Sequence, residues 1–374
     1  MSTKLFIVVN VDWFFLSHRK EIALAAKNAG YDVTVVTADT GKLHDIEALG
    51  LKVINLPMNR SGMNIREELG TLRFLIRLYK REKPAIVHHV GMKTILWGTI
   101  AAKLTHVHGV ANAISGLGGF FSKENKSIMS ELLPRVLKWS HHRANLLCIF
   151  QNEDDWNMYV EHGIIKQEQG RFIKGSGVDL KQFAYTPEPT KGKIKVILTA
   201  RMIEEKGIFL LTKAAKRLRK KYEKTAEFQL IGGIDDHPGA ITEEQLKQEC
   251  DGTYIKWLGY RTDVLDLLEQ CHIVAFPSYY MEGLPKSLIE ANAVGRPIIT
   301  SNSVGCKETV IDGYNGFLIT PKDIDALIEK LNILLSNADL RQQMGRNSRE
   351  YAEKYFSIEN VIEKHLAIYK ELMN

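Results

Sequence analysis

A chain of 374 residues is long for one domain and comfortable for two of roughly 180 each. Its 45% hydrophobic and 25% charged residues exclude a disordered or fibrous protein, and no window reaches the ~18–20 uncharged apolar residues of a membrane span. The net charge of +6 sits in the first half: residues 1–180 hold 23 Lys and Arg against 17 Asp and Glu, and residues 181–374 hold 27 of each. Cys148, Cys250, Cys271 and Cys306 show neither a paired nor a metal-type spacing, which suits reduced thiols and a cytoplasmic location. The opening Leu5-Phe6-Ile7-Val8-Val9 meets Asp12 almost at once and lacks a small-residue cleavage site. It reads as a buried strand, not a signal peptide.

Apolar β-type runs then alternate with helical patterns. Strands are expected over 4–11, 32–37, 52–56, 85–90, 109–114, 146–150 and 171–174, and helices around 17–29, 64–82, 92–105, 126–144 and 152–162. A Gly- and Pro-bearing linker spans 175–192. A second alternation has strands over 194–200, 227–231, 255–258, 273–276, 297–300 and 317–319, with helices over 206–222, 241–250, 262–270, 286–293 and 322–336. A long helical stretch over about 339–372 closes the chain. This is the pattern of an α/β protein with two doubly wound, Rossmann-like domains facing a cleft, with ligands at the carboxyl ends of the strands.

Two loops in the second half suit a phosphate-bearing ligand. Thr199-Ala200-Arg201 follows a strand, and Lys206-Gly207 comes five residues on. A planar guanidinium and a point charge at a strand end suit a diphosphate. The run Glu282-Gly283-Leu284-Pro285-Lys286-Ser287-Leu288-Ile289-Glu290 follows another strand and enters a helix near Pro285, where free amides converge. Glu282 lies in the loop and Glu290 two turns down the helix. Gly232-Gly233 ends a strand where backbone turns tightly or approaches a ligand. No Gly-x-Gly-x-x-Gly with a following acid supports a nicotinamide site.

The Glu282-to-Glu290 run resembles the nucleotide-sugar site of retaining GT-B glycosyltransferases of family four, and the likeness extends over nearly the whole chain. The resemblance implies that Glu282 contacts the hydroxyls of the transferred sugar and Glu290 those of the ribose. Arg201 and Lys206 match the family's Arg…Lys pair residue for residue. Trp257-Leu258-Gly259-Tyr260-Arg261-Thr262-Asp263 resembles the segment set against the nucleobase, so Tyr260 and Arg261 join Gly232, Gly233, Gly283, Leu284 and Pro285 as donor contacts. Asp263 is expected to cap the following helix. The family's terminal helix returns to the first domain, which divides the chain into 1–178, 193–345 and 346–374.

On the acceptor side the chain departs from the family. Asn10-Val11-Asp12 stands where a glycine pair is usual. The following Trp13-Phe14-Phe15 reads as a loop that either meets an apolar ligand or buries into the core. His18 either contacts a ligand or is an indifferent surface residue. Ser115, followed by Gly116, replaces the family's His. His88 and His89 end a strand and either line the cleft or are satisfied where they lie. With His106 and His108 they make no metal site, because the pairs sit on separate elements without a carboxylate. Arg73, Arg77, Lys80, Arg81 and Lys83, interleaved with Phe74, Leu75, Leu78 and Tyr79, form either an ordinary surface helix or one that meets anionic lipid headgroups. No nucleic-acid motif accompanies the charge.

The expectation is a cytoplasmic retaining hexosyltransferase without metal or cofactor. It would carry a hexosyl or N-acetylhexosaminyl group from a nucleoside diphosphate sugar, UDP before GDP, to a lipid-linked saccharide in surface glycan assembly. A sugar-nucleotide epimerase of the same fold and a non-catalytic nucleotide-sugar-binding subunit are the alternatives.

Overall fold

The computed structural model describes residues 2–59, 64–116, 128–235, 237, 239–281 and 283–374, the side chains of 128–131 excepted. The chain forms two compact units, Met1–Ser176 with Ile358–Asn374, and Gly177–Ser357.

The first unit runs β1 (Lys4–Val11), α1 (Asp12–His18), α2 (Lys20–Asn28), β2 (Asp32–Ala38), α3 (Leu43–Ala48), β3 (Lys52–Asn55), α4 (Ile65–Glu82), β4 (Ile86–Val90), α5 (Met92–Leu104), β5 (Gly109–Ile114), α6 (Ile128–His141), β6 (Leu146–Phe150), α7 (Glu153–Glu161) and β7 (Gly170–Phe172). Its seven-stranded sheet has the order β3-β2-β1-β4-β5-β6-β7, and every pairing is parallel. A strand covered on both faces is apolar along its whole length, and β1 shows how the two faces are served. Leu5, Ile7 and Val9 meet Phe15, Ile22 and Ile46 of α1–α3. Phe6 and Val8 join the cluster of Leu75, Ile95, Leu137 and Tyr159 from α4–α7 on the other face.

One expectation is corrected here, and one of the two alternatives for His88 and His89 falls away. Trp13, Phe14 and Phe15 are not a loop: they form the first turns of α1, with Phe15 fully buried and Trp13 half-exposed. His88 and His89 line no cleft, since both are fully buried in β4. His89 bonds the Tyr79 hydroxyl at 3.0 Å through Nε2 and Asn112 Oδ1 at 2.8 Å through Nδ1. Asn112 Nδ2 in turn reaches Thr99 Oγ1 at 2.9 Å and His141 Nε2 at 3.0 Å, and His141 Nδ1 reaches the Leu137 carbonyl at 2.9 Å. One proton arrangement satisfies the whole chain, with both imidazoles neutral. His88 Nδ1 bonds the Tyr369 hydroxyl at 2.7 Å.

The second unit runs β8 (Ile194–Thr199), α8 (Ile208–Tyr222), β9 (Ala226–Ile231), α9 (Glu243–Glu249), β10 (Ile255–Trp257), α10 (Val264–Glu269), β11 (Ile273–Phe276), α11 (Lys286–Val294), β12 (Ile298–Ser301), β13 (Gly316–Ile319), α12 (Ile324–Ser336) and α13 (Ala338–Tyr355). Its parallel six-stranded sheet has the order β10-β9-β8-β11-β12-β13. The order reverses at β8 and β11, which opens a crevice at their carboxyl ends. Residues 177–192 are tied onto this unit: Val178 N–H donates to the Phe356 carbonyl at 2.8 Å, and Arg341 Nε donates to the buried Glu188 carboxylate at 2.9 Å.

The closing helical stretch is two helices, α13 and, in the first unit, α14 (Ile358–Glu371). The break falls at Phe356-Ser357, where Phe356 is fully buried and Ser357 forms a bridge with Val178. A tertiary contact ends the helix without Gly or Pro, so helical periodicity runs straight through it.

Candidate active site

At the carboxyl edge of the second sheet, loops from adjacent strands are stitched together by backbone. Gly232, after β9, has φ +148°, and a Cβ there would overlap the Ala200 carbonyl oxygen after β8. Its amide donates to the Gly259 carbonyl, after β10, at 2.8 Å, and its own carbonyl accepts from Trp257 Nε1 at 2.9 Å. Met202 N–H donates to the Gly233 carbonyl at 3.0 Å. Gly207 has φ +82°, and a Cβ there would run into the Pro277 carbonyl after β11. The Glu205 carbonyl accepts from the amides of Tyr279 at 2.9 Å and Tyr280 at 3.2 Å. Arg201, Lys206, Gly232, Gly233 and the loop leading to α11 therefore share one rigid edge.

The charges on that edge have partners that spacing did not reveal. Arg201 Nη1 donates to Asp235 Oδ2 at 3.0 Å. Lys206 is 6% exposed, with its ammonium 4.9 Å from the ring centroid of Tyr280 and 5.5 Å from that of Phe276. Aromatic faces stabilise a buried cation. Tyr280 also meets the His237 ring edge-on at 5.8 Å. Asp235 and Tyr280 are the partners on this edge that sequence reasoning missed. Only the aromatic Tyr279-Tyr280 pair straight after β11 signals the second.

Pro285 stands at the N-cap of α11, where its missing N–H costs nothing. The first amides of this helix have no intrahelical acceptor and face an anion favourably. Gly283 and Leu284 lead into it, with Leu284 buried against Ile289 and Phe356. Glu290 lies 3.8 Å from Lys286 one turn before it. Burial pushes the Glu290 carboxyl above its ordinary range, and Lys286 offsets part of that shift. A buried carboxylate of this kind seeks hydroxyl donors. Glu282 lies outside the described residues.

Tyr260 is 78% exposed beside Gly233. Arg261 Nε donates to Asp263 Oδ1 at 2.7 Å, and the guanidinium forks the carboxylate. Asp263 occupies the N-cap position of α10 but makes no side-chain cap. This corrects its expected role, because the neighbouring guanidinium takes the carboxylate first.

The acceptor-side candidates belong to the first unit. Ser115 and Gly116 follow β5, Gly116 with φ +102°, and residues 117–121 of the same segment lie outside the described residues. His18 stacks on Phe14 at 4.1 Å and pairs with Ser17 Oγ at 2.6 Å. Asp12 accepts from the amides of Thr40 at 2.7 Å and Lys42 at 2.9 Å, which fixes the loop after β2. Among the described residues no group of His, Cys, Asp and Glu could hold a metal ion, and no helix is long and apolar enough to cross a membrane.

Two parallel Rossmann-like units and an edge of Arg, Lys, Glu and glycine loops define a GT-B glycosyltransferase. The family model for glycosyl transferases group 1 matches residues 183–351, and that for glycosyl transferase 4-like proteins matches residues 4–152. The chain thus carries a glycosyl transferases group 1 domain in its second unit and a glycosyl transferase 4-like domain in its first. It is 28% identical, over 96% of its length and 98% of the relative's, to the N,N'-diacetylbacillosaminyl-diphospho-undecaprenol alpha-1,3-N-acetylgalactosaminyltransferase of Campylobacter jejuni. It is 26% identical, over 92% and 90%, to the UDP-Gal:alpha-D-GlcNAc-diphosphoundecaprenol alpha-1,3-galactosyltransferase of Escherichia coli. In fold it resembles Anabaena HepE in complex with UDP, with a TM-score of 0.77, 18% identity and coverage of 99% and 100%.

Proposed function

We propose that this glycosyltransferase moves a hexosyl or N-acetylhexosaminyl group from a UDP-sugar to a saccharide carried on a lipid diphosphate, with retention at the anomeric carbon and without a metal ion. The observation that supports the reading is Arg201 and Lys206 held on one glycine-stitched edge at the β8/β11 reversal, whose loop after β11 leads into α11, the helix that carries Glu290. The acceptor class rests on the C. jejuni and E. coli relatives, both named for acceptors that are undecaprenyl diphosphate saccharides.

In this reading Glu290 binds the ribose hydroxyls, Tyr260 and the backbone around Arg261 lie against the uracil, and Gly232, Gly233 and the Gly283-Leu284-Pro285 loop pass close to the diphosphate. Glu282 holds the sugar. As the bond from the anomeric carbon to the phosphate oxygen breaks, its electron pair stays on the diphosphate. Arg201 and Lys206 stabilise that charge, typically the largest catalytic term. The acceptor hydroxyl attacks the same face and gives its proton to the departing phosphate oxygen. No protein carboxylate need act as a covalent nucleophile, unlike a retaining glycosidase. His18, Ser115 and Gly116 are assigned to the acceptor side.

The enzyme meets its acceptor at a membrane surface. Arg73, Arg77, Lys80 and Arg81 lie exposed along α4, and such cations favour anionic headgroups. A screen of UDP-, GDP- and ADP-sugars that reads released nucleoside diphosphate tests the donor assignment. UDP released from one hexose or N-acetylhexosamine donor is expected. Release confined to GDP- or ADP-sugars would refute it.

A further inference from the structure

The excess charge of the chain has a sharp location. Residues 83–152 hold eight Lys and Arg against two Asp and Glu, a net +6 equal to that of the whole protein. Among the described residues of this stretch, three large apolar side chains stand half open to solvent: Leu104 at 48%, Leu132 at 47% and Trp139 at 49%. Leu132 and Trp139 are seven residues apart on α6, hence on one face, two turns or ~10 Å from each other. Leu104 ends the neighbouring helix α5. Leu104 and Trp139 border one shallow cleft of about 670 Å³ with Lys103, His106, His142 and Arg143, and no carboxylate lines it.

This surface is built rather than frayed. Lys103 Nζ donates to the carbonyls of Trp139 at 2.7 Å and His142 at 3.0 Å, and lies 5.0 Å from the Trp139 ring centroid. The guanidinium of Arg143 donates to the carbonyls of Val107 and His108. Both cations are thus spent on carbonyl oxygens, and neither is neutralised by an acid. Arg135 and Lys138 are exposed on the same stretch of α6. An indole and two leucines standing out among such cations suit the boundary between headgroups and acyl chains, where one side is apolar and the other anionic.

We infer that the outer face of α6, with the end of α5, is an insertion surface for an anionic lipid bilayer, with Trp139, Leu132 and Leu104 entering the interfacial layer. The inference rests on the proposed lipid-linked acceptor and adds an apolar anchor to the electrostatic contact of α4. The two helices flank α5 in the layer on one side of the first sheet. An acidic protein partner would use the same charge but would give no response to lipid alone.

The test uses the full chain with phosphatidylcholine vesicles containing phosphatidylglycerol, without donor or acceptor, together with transfer to a soluble short-chain acceptor. Co-sedimentation of the wild type is expected, falling roughly five-fold for each surface cation removed. Trp139→Ser with Leu132→Ser should lose at least ten-fold in partitioning, with unchanged melting temperature and unchanged soluble-acceptor turnover. Brominated phosphatidylglycerol should quench the wild type, and Trp139→Phe should lose most of that quenching. Wild-type sedimentation of the double variant, or quenching that survives Trp139→Phe and disappears in Trp13→Phe, would overturn the insertion surface while leaving the transfer reading intact. Absence of any vesicle binding would overturn the membrane assignment, and only loss of soluble-acceptor transfer would count against the proposed function.

Discussion

Arg201 Nη1 donates to Asp235 Oδ2 at 3.0 Å, across 34 residues of sequence. Under the proposed function the pair would hold the guanidinium at the strand end before a diphosphate arrives, and preorganised charge needs no rearrangement at the moment of bond breaking. Arg201→Ala should lower turnover by ~10²–10³-fold. Asp235→Asn should lower it less, and should cost nearly nothing once Arg201 is already Ala. A double-mutant cycle on turnover reads this coupling directly. Additive losses would show that Asp235 acts on its own account.

Glu290 should trade stability for binding. Burial raises its carboxyl in the folded state, so folding prefers the neutral form and this group's stabilising contribution is lost as pH rises above its ordinary range. Glu290→Gln is neutral at every pH. It should therefore raise the melting temperature at pH 7.5 while raising the donor KM, because a charge-assisted bond to ribose becomes a neutral one. A variant that is less stable, or unchanged in KM, would remove Glu290 from the ribose site.

The buried histidines should make the fold acid-labile. Burial depresses His89 and His141 to about 4 and His365 to about 3, and pushes His88 well down. Unfolded histidines titrate near 6.5. The unfolded chain thus binds more protons between about pH 6.5 and 4, so stability is full above that window and falls as pH drops through it. His89 and His141 account for roughly 3 kcal/mol each by pH 4. Urea midpoints measured from pH 7.5 to 4.5 should fall steadily, and His89→Gln should flatten the slope.

Gly232 and Gly259 should respond differently to alanine although both have positive φ. A Cβ at Gly232 would overlap the Ala200 carbonyl, whereas one at Gly259 meets nothing. Gly259→Ala carries only the left-handed penalty of ~1–2 kcal/mol. Gly232→Ala must also push apart the loops after β8 and β9, so donor binding should be lost well before the fold. Equilibrium binding of UDP and thermal melts separate the two effects.

What could be read in the chain was whatever is local. Strand-loop-helix order exposed both sheets, and the Arg201-to-Lys206 and Glu282-to-Glu290 runs, each beside its own strand, marked the candidate donor loops. Pairings across many residues stayed hidden. Asp235 under Arg201 and Tyr280 under Lys206 are such cases, and so is the Val178 contact that splits the terminal helical stretch at Phe356. The aromatic run at Trp13–Phe15 misled because its apolar side chains suited a ligand loop as well as the helix they form. Which alternative holds for His88 and His89 was hidden too, because their hydrogen-bond partners, Tyr369, Tyr79 and Asn112, come from other elements.

The anomeric configuration of the product, made in the presence of a chelator, tests the account most directly. Purified enzyme, a UDP-hexose or UDP-N-acetylhexosamine and a polyprenyl diphosphate saccharide would react in EDTA, with NMR reporting the new linkage and a coupled assay the released UDP. The account predicts one UDP per transferred sugar, the donor's own α configuration kept, and a rate indifferent to EDTA. A β-linked product, or activity abolished by EDTA and restored by Mn²⁺ or Mg²⁺, would contradict it.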